Sequence, residues 1–118
     1  MDANEREQIV ARLLTEQAER RRLLAGYEPV VDEIVHLLFE RDPIGINYES
    51  NTDEYEPEAE TITLRLPDAT SIDDVLGIVH QEFVRWFGAK TAGPQARYEA
   101  IAEAIWDLWQ RFSADPSR

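Results

Sequence analysis

Five carboxylates fall within eight residues: Asp53, Glu54, Glu56, Glu58 and Glu60. Such a run has three uses. It can present an anionic surface to a basic macromolecule. It can hold a hard cation through oxygen, with Asp42 completing the set. Or it can sit in solvent at a helix N-terminus, where the dipole favours each acid by about 0.3–1 kcal/mol. The EF-hand order of alternating acids around a central glycine is absent, which ranks the cation site last. Tyr48 and Tyr55 flank the run, and tyrosines beside acids supply ring area and hydroxyls to a protein partner. The plainer reading of Tyr55 is that it packs beneath its own loop. The candidate partner-binding residues are therefore Asp42, Tyr48, Asp53, Glu54, Tyr55, Glu56, Glu58 and Glu60. The weak metal candidates are Asp42, Asp53, Glu54 and His80, and no cofactor is expected.

Other side chains with chemical potential have bland readings. His36 lies between Asp32 and Glu40 at four-residue spacings, the pattern of a surface ion pair. His80 sits at the edge of an apolar stripe, where a bond to a backbone carbonyl or an acid satisfies it. Trp86, Trp106 and Trp109 read mainly as core. Trp106, at the margin of its stripe, is the best candidate for an exposed contact. Phosphate-binding glycine loops, a nucleophile elbow and paired-histidine motifs are missing, so the chain reads as a non-enzyme.

The charge narrows the partners. The net charge is −12 and residues 42–68 carry −7 of it, so the middle of the chain is its acidic part. DNA, RNA and anionic membranes are repelled by such a chain, while a basic protein is attracted. Without cysteine there is no thiolate nucleophile or cysteine-bound metal, and a reducing compartment is implied. The polar start, Met1 to Arg6, is unlike a signal peptide, and no apolar run is long enough for a bilayer. These features lead to a cytoplasmic expectation.

The elements that must position these residues are helical. Asp2 with Glu5 opens a helix over about 3–25, with a thin stripe from Ile9, Val10, Leu13 and Leu14 and a stop at Gly26. Its second half, with Arg20, Arg21 and Arg22, either projects or packs through the arginine stems. A second helix, about 29–41, has so wide an apolar arc that it reads as central, and Pro43 ends it. A long loop from Asp42 to near Asp53 follows. Residues 57–66 alternate as a strand would, yet a lone strand has no partner, so a short helix is preferred. Helices over about 71–87 and 94–112 complete the set. The expected fold is all-α: one compact domain of four or five helices with a long acidic loop between the second and third. Residues 1–27 form the N-terminal helix, 28–112 the main body and 113–118 a frayed tail.

The stretches Asp42-Pro43-Ile44-Gly45-Ile46, Asp53-Glu54-Tyr55-Glu56-Pro57-Glu58, Val79-His80-Gln81-Glu82-Phe83 and Ile101-Ala102-Glu103-Ala104-Ile105-Trp106 carry a resemblance. Together they resemble a group of small bacterial proteins of unknown function, over roughly residues 30–110. Some members of that group resemble immunity proteins that neutralise toxins. The resemblance implies a helix at 57–66 and an immunity- or antitoxin-like inhibitor of a basic partner. Alternatives from other classes are a self-associating protein, as a homodimer, and a carboxylate metal-binding protein.

Overall fold

The computed structural model describes residues 2–45 and 55–114, and every regular element among them is helical. Six α-helices follow one another: α1 Ala3–Leu23, α2 Glu28–Arg41, α3 Glu56–Arg65, α4 Ile72–Phe87, α5 Ala89–Ala92 and α6 Glu99–Ala114. Short 3-10 turns at Leu66–Asp68 and Gln95–Tyr98 lead out of α3 and into α6. The all-α expectation and the helix at 57–66 hold. The count rises to six because α5 is a single extra turn between Gly88 and Gly93.

Local chemistry sets the boundaries. Asp2 accepts a hydrogen bond from the Glu5 amide at 2.8 Å and so caps α1. Ser71 does the same for α4 through the Asp74 amide at 3.1 Å. Asp74 reaches back to the Thr70 amide and hydroxyl at 2.8 and 2.7 Å. Those bonds, the Thr70 amide first, hold its carboxyl below the ordinary carboxylate range. Proline cannot follow a helical residue comfortably, so α2 ends at Arg41 and Asp42 turns left-handed at φ 45° before Pro43.

The core joins α2, α3, α4 and α6. Val30, Ile34 and Leu38 of α2 are buried with Ile62 of α3, Val75, Val79 and Phe83 of α4, and Ile105 of α6. Burial of such side chains contributes about 1.5–3 kcal/mol each. Tyr55, Phe83 and Tyr98 form a tilted aromatic series through the interior, with ring centroids 6.0 and 5.0 Å apart. The Tyr98 hydroxyl, pushed above its ordinary pKa by burial, donates to the Ala92 carbonyl.

α2 packs in the core as its wide apolar arc predicts, and α3 is enclosed further. Its residues Glu58 to Thr63 are buried without a break, more than a full turn, whereas α2 exposes Asp32, Glu33, His36 and Glu40. The alternation in Thr61-Ile62-Thr63-Leu64 resembles a strand because α3 has no wet face to impose a 3.6-residue period.

α1 is the opposite case. None of its 21 residues is buried, and from Asp2 to Glu16 all are exposed except half-buried Ile9. Gln17 and Arg20 are half-buried and Leu24, at the helix end, is fully so. The helix both projects and packs through arginine: one half overshoots the body and the other lies on α3.

Candidate site: buried acids and their arginines

α3 starts with Pro57 in its first turn, which presets the backbone for a helix. The acids that follow were expected in solvent. Instead Glu58 and Glu60 are 4% and 5% exposed and Tyr55 is fully buried, so none of the three offers free surface to a partner. The reason is α1 on one side and α4 on another. A buried carboxylate needs a cation or donors to offset its lost hydration. α1 supplies arginines to the acids of α3, and α3 in turn supplies Arg65 to Glu82 of α4.

On the α1 side, the Arg20 Nε donates to Glu60 Oε1 at 3.3 Å. Arg21 reaches Glu56 at 3.3 Å and Glu60 at 3.9 Å. The Arg20 guanidinium also lies 5.8 Å from the centre of the Trp86 ring, within cation–π range. Trp86 is fixed by an indole N–H bond to the Thr61 hydroxyl at 3.0 Å. Between these helices runs a groove of about 740 Å³, lined by Thr15, Glu19, Arg20, Thr61, Glu82 and Trp86 among others.

On the α4 side, Glu82 is 3% exposed and accepts from Arg65 at 3.0 Å, while Arg85 approaches its other oxygen at 3.6 Å. Arg65 also donates to Gln81 at 2.8 Å. Two carboxylate oxygens, Glu58 Oε2 and Glu82 Oε1, are buried without a hydrogen-bond partner. Burial, only partly offset by Glu58's own amide and the charge of Arg20, pushes the Glu58 pKa up to about 6.

The remaining predicted residues are scattered. Asp42 accepts the Tyr55 hydroxyl at 2.7 Å, so Tyr55 anchors the turn after α2. Arg97 donates to the Pro43 carbonyl at 3.3 Å and ties that turn to the start of α6. Glu56 is half-exposed beside Arg21. Tyr48, Asp53 and Glu54 lie outside the described residues. His80 bonds the Gly93 carbonyl at 2.9 Å, as its place at the edge of a stripe implies. His36 is exposed and, among the described residues, forms no ion pair with Asp32 or Glu40, contrary to expectation. Trp106 is half-buried; the most exposed indole is Trp86, at 38%. Among the described residues, no group of three or more side chains is placed to hold a metal.

Thr61, Arg65 and Glu82 were not singled out from the sequence, and Arg20 and Trp86 were read only as packing residues, although two signals were there. Glu82 occupies an apolar-stripe position, three residues after Val79 and four before Trp86. Three successive arginines end a helix whose stripe is too thin to bury by itself.

Among the described residues, no helix is long and apolar enough to cross a membrane. No family model, curated protein or solved structure matches this chain.

Proposed function

We propose that this chain is a non-enzymatic interaction module that binds a basic protein partner through its acidic segment, residues 42–60. The immunity or antitoxin kind of inhibitor is the class that fits. One observation carries the reading: the acids of α3 are already met by a helix bearing arginines. Arg20 and Arg21 lie on Glu60 and Glu56 at 3.3 Å. A face that accommodates guanidinium groups within the molecule has the chemistry to recognise them on another.

Charge supports the same partner. With −7 of the net −12 on residues 42–68, long-range attraction would speed encounter with a basic surface and weaken with salt. Glu58 and Glu60 are buried and Glu56 is half-exposed, so the proposed contacts are Glu56 together with Asp53, Glu54 and Tyr48 of the same segment. The test is capture of partners by the full chain at low and at high salt. A basic protein retained at low salt and lost from a Glu56→Gln, Asp53→Asn, Glu54→Gln variant supports the reading. Retention of no basic protein at low salt removes it.

A second reading, self-association, has its own observation. Val10, Leu13 and Leu14 of α1 are 53%, 55% and 60% exposed on adjoining positions of one helix face. Light scattering at micromolar concentration decides it, and a clean monomer rules it out.

A further inference from the structure

α1 is attached to the rest of the fold in an unusual way. It is the longest helix among the described residues and has no buried side chain. Among the described residues its charged grip on α3 and α4 is Arg20 on Glu60, Arg20 over Trp86, and Arg21 on Glu56 and Glu60. Leu24 is the nearest apolar anchor, and it lies beyond the helix. A helix held by cations rather than by interdigitated apolar side chains resembles a charged ligand on a receptor.

The receptor side belongs wholly to α3 and α4. Glu56, Glu60 and Thr61 come from one and Trp86 from the other, and the Thr61–Trp86 hydrogen bond that orients the indole involves no residue of α1. Acids and indole together form a site for a guanidinium-bearing helix.

We infer that α1 is a resident occupant of an arginine-binding face on α3 and α4, and that a partner helix with adjacent arginines takes this face by displacing α1. The inference rests on the basic-partner reading and adds to it the form of the partner and a cost of entry. Any partner competes with α1, so its apparent affinity falls by the fraction of molecules in which the face is open. Salt loosens the resident helix and the incoming one alike.

The test uses the full chain and, as probe, a labelled synthetic peptide of residues 3–24, the resident helix itself. Wild-type protein, its face filled, binds the peptide weakly. An Arg20→Ser, Arg21→Ser variant binds it at least about tenfold more tightly at low salt, and adding Glu56→Gln and Glu60→Gln abolishes that gain. Circular dichroism checks that each variant stays helical. If the arginine variant fails to fold, hydrogen exchange on the wild type takes over: α1 amides exchange at least about a hundredfold faster than those of α4 and α6, because α1 opens alone. A folded arginine variant that ignores the peptide, or α1 protected as strongly as α4, overturns the inference. Peptide binding without a cellular basic partner keeps the inference and removes the proposed function. A partner bound equally by wild type and arginine variant does the reverse.

Discussion

Replacing Glu58 by glutamine should stabilise the protein above pH 6 and leave it unchanged below pH 4.5. Glutamine keeps the shape of the side chain and removes the charge. Burial lifts the folded-state pKa of Glu58 from 4.5 to about 6, so the folded chain holds its proton more tightly than the unfolded one. Between those two values the native state therefore binds more protons, and its stability falls as pH rises. Above the higher value the full cost of a buried carboxylate is present. The displacement corresponds to about 2 kcal/mol. Relaxation and water penetration around a buried carboxylate reduce that to about 1 kcal/mol.

The assay is a urea melt of wild type and Glu58→Gln in parallel from pH 4 to pH 8. Many other acids titrate over this range, so the informative quantity is the difference between the two proteins. That difference should be near zero at pH 4.5 and reach about 1 kcal/mol in favour of glutamine at pH 7.5, or roughly 4 °C in Tm. A variant less stable than wild type at pH 7.5 would refute the reasoning, because it would mean that the Glu58 charge is used by a cation. A difference constant with pH would refute it too, because packing rather than ionisation would then be at work.

Arg20→Ala should loosen α1 and cost no more than about 2 kcal/mol, because Glu60 regains water once α1 lifts, and adding Glu60→Gln should recover much of the loss in a double-mutant cycle. Gly93→Ala should cost about 1–3 kcal/mol in chemical denaturation: Gly93 has φ +76°, and an added Cβ would lie 2.6 Å from the Arg97 guanidinium carbon. Tyr98→Phe should lose about 1–2 kcal/mol in the same assay, since the Ala92 carbonyl loses a buried donor. Leu14→Ser, in the exposed half of α1, should change the melting midpoint by less than about 0.5 kcal/mol in a monomer.

The sequence made the helices legible where their ends carried their own chemistry. Asp2 and Pro43 act within a few residues of themselves, so their meaning does not depend on the fold. The interior apolar residues of α2, α4 and α6 were equally plain, because a helix with one wet face displays its period. The α3 segment was read as a helix, as it is, but its burial was not legible. Its burial comes from elements far away in sequence, including arginines forty residues earlier, and a helix enclosed all round shows no amphipathic period. The reading of Glu58 and Glu60 as solvent-facing followed from residue type alone, and residue type describes an acid's preference, not the cation the fold brings to it. Trp86 was misjudged for a similar reason: its place on the α4 stripe implied burial, but the stripe extends beyond the neighbours that cover it.

The pairing of Arg20 with Glu60 bears on why α3 contains acids at all. A leucine at position 60 would bury apolar area against α1 with no hydration to lose, and such replacements of partly buried ion pairs are often neutral or stabilising. It would also hold α1 regardless of salt and accept any apolar surface in its place. A carboxylate accepts only a cation with the right donors, and water competes for it the moment the pair opens. The acids of α3 thus exchange strength of attachment for selectivity and release. That exchange benefits a surface meant to trade one arginine-bearing helix for another, and it has no evident use in a helix meant to stay in place.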